Sequence, residues 1–418
     1  MGCGHAAPGN QPGTLNLDIA DFDLRALPAG FHDNPYPFYH ALREQAPVRR
    51  MPDGSWLLTA HADLVAVYRD AAGFSSDKRR EFAPKFGPGT PLFRHHTTSL
   101  VFNDAPLHTR VRRLIAGALT GRAVAEMEAG VVALVDRLLD GIAARGQFDL
   151  IADFAAAIPV EVIGNLLGVP LADRAPLRDW SLAILGALEP ALTPAQLAAG
   201  QQAVTEFLAY LEVLVAERRR RPGDPAHDML TRLILGESED GERLSAEELL
   251  QNCIFILNAG HETTTNLIGN ALATLPDHPD QRARLLAEPG LIRTAVEEFL
   301  RYESSNQLGN RLCVRDCDIG GVRITAGTPV TLCIGAANRD PAQFPDPDRL
   351  DLAREPNRHL AFGLGVHQCA GLAVARLEGR VAITRFLQRF PRYQPAGPAV
   401  RGGRARFRGY LSVPMVAG

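Results

Sequence analysis

A helical pattern of about 30 residues, opening at Ser245 and persisting to Leu275, constrains this chain more than any other feature. Ser-Ala-Glu-Glu at 245–248 forms a capping box, in which the serine hydroxyl accepts from the backbone N–H three residues on and the glutamate returns the bond. At 1.5 Å per residue such a helix is ~45 Å long, enough to cross a whole domain through its centre. Further helical periods run over 36–45, 62–69, 107–119, 123–145, 155–167 and 194–220. Strand signals are confined to short pieces: 48–59 reads as a hairpin turning at Pro52-Asp53-Gly54, and 311–334 as successive hairpins punctuated by Gly320-Gly321 and Ala326-Gly327. The expected class is mainly α with small β-sheets.

At roughly 150 residues per domain, 418 residues would allow two or three domains. No Gly/Ser linker, low-complexity run or repeat interrupts the body, and 46% hydrophobic with 22% charged residues permits one large core. The expected organisation is therefore a flexible tail over 1–30, rich in Gly, Pro, Asp and Ala, followed by a single domain over 31–418. Forty-four basic against 47 acidic side chains leave a net charge of -3, which gives no electrostatic reason to expect nucleic acid or an anionic membrane as partner. Apolar stretches are broken by charges before the ~20 residues a bilayer span requires. The N-terminus lacks the basic-then-apolar order of a signal peptide, and six cysteines are ordinary usage for a reduced compartment. The expected address is the cytoplasm, and the expected state a monomer.

The stretch Phe-Gly-Leu-Gly-Val-His-Gln-Cys-Ala-Gly at 362–371 places two glycines before Cys369 and one after it. Such spacing suits a turn folded closely around a ligand, since glycine alone takes positive φ cheaply. A helical pattern runs from 370 to 390, so Cys369 falls at a helix N-terminus, where the dipole and free N–H groups favour a thiolate. A single thiolate on a tight loop is a ligand that haem iron accepts, although a buried structural thiol is the commoner use of a lone cysteine. The stretch resembles the haem-binding signature of the cytochrome P-450 family, Phe-Gly-x-Gly-x-His-x-Cys-x-Gly, at every fixed position. Similarity to the family extends from about Asp33 to Pro414.

That resemblance implies a triangular single domain of the P-450 fold with the long central helix over haem b. Cys369 would be the axial thiolate to iron, and Phe362, Gly363, His367 and Gly371 would shape its loop around the cofactor. Cys3, Cys253, Cys313, Cys317 and Cys333 have no such setting, and Cys313 with Cys317 lacks the second ligand pair of a zinc site.

Within the central helix, Ala-Gly-His-Glu-Thr-Thr at 259–264 interrupts an apolar run. Ala259, Glu262 and Thr263 share one face, and a carboxylate buried there is costly without a partner. In an arbitrary helix Thr263 would bond back to a carbonyl and Glu262 would face solvent. Here the stretch resembles the family's oxygen-activation motif, with Ala259 and Gly260 against the haem. By that resemblance Thr263 holds oxygen and a water in hydrogen bonds while Glu262 feeds the protons that O–O heterolysis consumes. His261 lies about 100° off that face and reads as a packing or surface histidine.

Glu298 and Arg301 stand i, i+3 and resemble the family's Glu-x-x-Arg, which with Arg349 would form a buried triad supporting the cysteine loop. His108 and Arg112, i, i+4 on a helix opening at Pro106, match the family's propionate-binding positions, as do Arg311 and His367. Arg110 and Arg113, on the other side of that helix, would reach solvent near the haem and offer a docking surface to an acidic ferredoxin.

The implied activity is that of a monooxygenase: two electrons enter, one atom of O2 goes into the substrate and the other leaves as water. No Gly-x-Gly-x-x-Gly follows a strand, so no flavin or nicotinamide is expected on this chain, and electrons would come from a ferredoxin and its reductase. A peroxide-driven or nitric-oxide-reducing member of the same fold and a non-catalytic haem sensor are the rival readings. The pocket is expected to take a mainly apolar secondary metabolite with a polar group near the oxidised carbon. Phe255, Ala259 and Asn252 would form one stripe of the central helix, Asn306 would put a second amide over the haem, and Phe82, Phe86 and Phe93 would sit in a mobile lid over 81–99. Arg94, His95 and His96 in that lid could anchor a carboxylate, but exposed basic residues on a loop are more often only solvated. Terpenoid, macrocyclic or cyclic-dipeptide compounds suit such a pocket better than long fatty acids.

Overall fold

The structure is a computed structural model and describes residues 18–225, 227–235 and 244–418. Its axis is the helix Ala246–Thr274, closed at its start by the Ser245–Glu248 capping box. Leucines, isoleucines, alanines and asparagines recur around this helix, so it has no continuous polar face to offer water and is buried on most sides. It packs between the helices Ala157–Leu166, Leu177–Gly186, Pro194–Arg220 and Leu372–Arg389. A Cβ at Gly260 would meet Ile163 Cδ1 at 2.9 Å, so helix packing also favours a glycine at this position.

Several helices match their sequence periods closely, including Tyr36–Gln45 and Pro194–Arg220. The helix Gly121–Arg145 begins two residues before the apolar period because the Thr120 hydroxyl caps it at Ala123 N–H. The main sheet runs, edge to edge, Val48–Arg50, Trp56–Leu58, Pro329–Cys333, Leu308–Cys313, Phe74–Ser75, with the second and third strands parallel and the other pairs antiparallel. Cys317–Ile319 and Val322–Ile324 form the hairpin expected around Gly320-Gly321. No helix among the described residues is long and apolar enough to cross a membrane.

Two expectations fail here. Residues 18–30 are not a loose tail: Ile19 and Phe22 are buried with Phe31, Tyr36 and Tyr39, so only 1–17 of the expected tail lies outside the described residues. The segment 81–99 is not a lid loop either but parts of the helices Arg79–Phe86 and Pro91–Thr98 with their connection, the second capped by the Thr90 hydroxyl and opening at Pro91. Phe82 and Phe86 are buried with Phe102 around His96, while Phe93 is half-buried. His95 and His96 are buried rather than solvated, and His95 Nδ1 lies 3.0 Å from Gln251 Oε1 of the central helix. Basic side chains on a presumed loop read as solvated only because the Thr-Pro helix start at 90–91 went unrecognised.

One buried acid carries a stability prediction. Glu378 is 3% exposed, its Oε2 has no hydrogen-bond partner, and burial pushes its carboxyl up to about 8. The folded chain thus holds a proton that the unfolded chain releases above 4.5. The stability this contributes is complete below that pH and is lost as pH rises through about 8. Glu378→Gln should stabilise the protein by on the order of 2–3 kcal/mol at pH 8 and by less at pH 5.5, read by urea unfolding at the two pH values.

Candidate active site

The cysteine loop is tied shut by its own backbone. Cys369 N–H donates to Phe362 O at 2.8 Å, Gly363 N–H to Leu360 O at 2.8 Å, and Gln368 N–H to Gly365 O at 3.0 Å. Gly363 and Gly365 have φ of 65° and 75°, and a Cβ at Gly365 would stand 2.4 Å from Tyr68 O, so both a left-handed backbone and close approach require glycine there. Gly371 has φ −89° and open space around it, so its backbone imposes no such demand. Burial raises the Cys369 thiol, outweighing the Gly371 N–H and the Arg112 and Arg376 charges. The expected dipole effect does not prevail, because Cys369 precedes the helix Leu372–Arg389 by a turn and is enclosed. Metal coordination deprotonates a thiol outright, so this environment is compatible with ligation to iron.

Behind the loop, Arg376 makes two 2.7 Å bonds to Glu297, which also meets His359 at 3.1 Å, and the Arg376 guanidinium covers the Phe362 ring at 4.9 Å. Burial opposes the Glu297 charge, but hydrogen bonds from His359 and Arg376 prevail and hold it down at about 2. Below this lies the fully buried pair Glu298–Arg301, bonded at 2.7 and 2.8 Å. Arg301 also donates to the backbone oxygens of Asn338, Pro347 and Arg349. The third member of the network is Arg354, whose Nε lies 3.1 and 3.2 Å from the Glu298 oxygens, and not Arg349, which contributes only its carbonyl. Spacing cannot tell which of two arginines five residues apart turns inward.

The four expected propionate ligands do converge. The His108 and His367 rings are 4.1 Å apart, and Arg112 and Arg311 are close enough for their charges to act on His108. His108 is held at about 4 by burial, then by His367 and Arg112, and its buried Nε2 has no partner. His367 Nε2 stands 3.9 Å from Asp104, while no carboxylate pairs with Arg112 or Arg311 among the described residues. Two arginines with no carboxylate in contact and an unpartnered His108 Nε2, beside a thiol on a tight loop, fit the carboxylates and iron of haem b, although Arg311 also donates to Asn310 O at 2.8 Å. Arg110, by contrast, is ion-paired with Glu248 and is no part of an exposed docking face; Arg113 is exposed.

From Gln251 to Leu272 the central helix is buried except at Phe255, Ala259, Gly260 and Thr263. Phe255, Ala259 and Thr263 follow each other at four-residue intervals, so the accessible positions of an otherwise enclosed helix lie mainly along one stripe. Asn252 is outside it: its side chain accepts from Leu100 N–H at 2.9 Å and donates to Glu248 O at 2.8 Å, clamping the Pro91–Phe102 region to the helix. Asn306 is half-buried beside Phe407, with its Oδ1 unpartnered. Thr263 Oγ1 donates to Ala259 O at 2.8 Å. Glu262 does not face solvent: it is 5% exposed, its Oε1 accepts from Arg404 Nη1 at 2.7 Å, and its Oε2 is unpartnered. Burial, opposed by Arg404, pushes its carboxyl up to about 7. A cavity of about 20 Å³, large enough for a water, adjoins Glu262, His261, Thr265, Asn266 and Arg404. His261 is buried and is pushed down to about 3, making it a neutral packing histidine.

Arg354, Arg376 and Arg404 escaped the sequence reading. Arg404 had a visible signal, since residues 401–408 carry arginine at 401, 404, 406 and 408.

Comparison with known proteins agrees with this geometry. Residues 185–396 match the family model for cytochrome P-450. The chain is 41% identical over 363 residues to the vitamin D(3) 25-hydroxylase of Pseudonocardia autotrophica, covering 85% of this chain and 86% of the relative. It is 37% identical over 364 residues to the biotin biosynthesis cytochrome P-450 of Bacillus subtilis, covering 86% and 90%. The crystal structure of P450BioI with a hexadec-9Z-enoic acid-ligated acyl carrier protein superposes with a TM-score of 0.87 at 34% identity, covering 93% of this chain and all of that one. With a glycine-shaped thiol loop beside a convergent pair of histidines and arginines, and with this kinship over nearly the whole length, the chain belongs to the cytochrome P-450 family.

Proposed function

We propose that this cytochrome P-450 monooxygenase inserts one atom of O2 into a mainly apolar small molecule, a secondary metabolite bearing at least one polar group, in the cytoplasm, with electrons from a ferredoxin and its reductase. Haem b, when bound, supplies the redox-active iron at which O2 is reduced; Cys369 would bind the iron, and His108, Arg112, Arg311 and His367 would hold its propionates. The accessible stripe Phe255–Ala259–Thr263 on a buried helix carries the reading, since it gives a substrate an apolar wall ending at the acid–alcohol pair. With its carboxyl near 7, Glu262 holds or releases a proton at Oε2 near neutral pH. Thr263 Oγ1 exchanges its bond to Ala259 O for one to oxygen or water. With the amide of Asn252 committed elsewhere, Asn306 Oδ1 is the acceptor left for a substrate donor. The names of the relatives support a small-molecule substrate without choosing one: they include a vitamin D(3) hydroxylase and a 6-deoxyerythronolide B hydroxylase.

The test is turnover of the haem-loaded enzyme with ferredoxin, reductase and isotopically labelled O2. A compound that shifts the haem spin state should accelerate reductant consumption and acquire one labelled oxygen. No consumption with any such compound points to a non-catalytic sensor; product formed from hydrogen peroxide alone, at the same rate, points to the peroxide-driven class.

A further inference from the structure

The helix Arg79–Phe86 and the segment around Arg406 bring a group of charges together that the haem chemistry does not use. Lys78 is paired with Glu81 at 2.8 Å. Lys85 Nζ donates to the backbone oxygen of Glu189 at 2.6 Å. The Glu189 carboxylate is occupied by the backbone N–H groups of Ala405 and Arg406, at 2.7 and 3.0 Å. Every bond of the Arg406 guanidinium goes to a neutral acceptor: Leu188 O, Leu308 O and Asn310 Oδ1. Three cations thus stand against two carboxylates, and neither the Lys85 ammonium nor the Arg406 guanidinium has a carboxylate in contact.

Desolvation is the largest influence on both Lys85 and Arg406 and holds both below their ordinary values, yet each side chain keeps accessible surface. Glu189 joins the two cations, taking Lys85 Nζ at its backbone oxygen and the Arg406 N–H at its carboxylate, and Lys85 Nζ stands 5.3 Å from the centre of the Phe86 ring, which packs on His96. His96 lies within reach of both charges and is 1% exposed, with neither ring nitrogen partnered, inside the ring of Phe82, Phe86 and Phe102. Arg406 precedes Phe407, which bridges Asn306, so the group is continuous with the expected substrate wall.

We infer that Lys85, Arg406 and His96 form an anion subsite that anchors the carboxylate of an amphipathic substrate, the apolar body of which lies along the phenylalanines and the Phe255–Ala259 stripe. The inference rests on the small-molecule pocket proposed above and names the substrate class for it. A carboxylate supplies the missing negative charge and accepts from Lys85, Arg406 and the His96 N–H at once. Without it, the extra positive charge is met by neutral oxygens alone.

Matched ligands decide the matter on the haem-loaded protein: dehydroabietic acid and tetradecanoic acid, each against its own methyl ester, by calorimetry and by the haem spectral shift. The acids should bind at least about tenfold more tightly than their esters. Lys85→Met should remove that advantage while leaving ester affinity unchanged. His96→Phe, which fits its aromatic surroundings, should reduce the advantage in the same direction. Equal affinity of acid and ester in the wild type, or an advantage untouched in both variants, overturns the subsite while leaving the pocket in place. If neither acids nor esters bind, the pocket reading falls and the subsite with it.

Discussion

Arg301→Ala should leave little folded, haem-retaining protein. The change strips a fully buried Glu298 of its bidentate partner and abandons three backbone carbonyls that Arg301 now satisfies. Removing one member of such a pair costs about 3–5 kcal/mol, a large part of the 5–15 kcal/mol typical of a domain. Arg354→Ala should be the next most damaging change, because Arg354 is the second cation on Glu298 and binds Pro345 and Asp346 carbonyls as well. Arg349→Ala should be mild, since only its backbone oxygen takes part. Thermal unfolding and haem content of the three variants check the order; a loss at Arg349 equal to that at Arg354 would restore the arrangement expected from spacing.

The second large effect concerns protons. Glu262→Gln keeps the size of the side chain and the bond from Arg404 but has no proton to give at Oε2, so product formation should fall by roughly 10²–10⁴. Thr263→Ala should instead preserve reductant consumption and divert it to hydrogen peroxide. Because burial raises Glu262 to about 7, its acid form is lost as pH rises through that value, and the yield of product per reductant should fall with it. That pH dependence should vanish in Glu262→Gln. Coupling unchanged in Thr263→Ala would make Thr263 a packing residue whose bond to Ala259 is its whole role.

Local signals carried most of the architecture. The capping box at Ser245 opens the long central helix where its side chains predict, because such a cap depends only on neighbours in the chain. The Cys369 turn was legible for the same reason, as was the convergence of His108 with Arg112 on one helix face. What failed depended on long-range packing. Asn252 reads as a pocket amide on a helical wheel, but the chain at Leu100 folds onto it and consumes it. Arg354 takes the place expected of Arg349 through the path of a loop, and Glu262 acquires its partner Arg404 from 142 residues away. The thiol of Cys369 was expected to be lowered by a helix terminus, and burial, which no local motif encodes, raises it.

The identification stands most directly on the ligand to iron. In the reduced, haem-loaded protein, carbon monoxide should produce the red-shifted absorption band that a thiolate opposite CO generates. The band should vanish in Cys369→Ser and persist in Cys333→Ser, whose thiol is buried in the sheet and pushed up to about 12. A wild-type spectrum without that band, or a band that survives Cys369→Ser, contradicts the account.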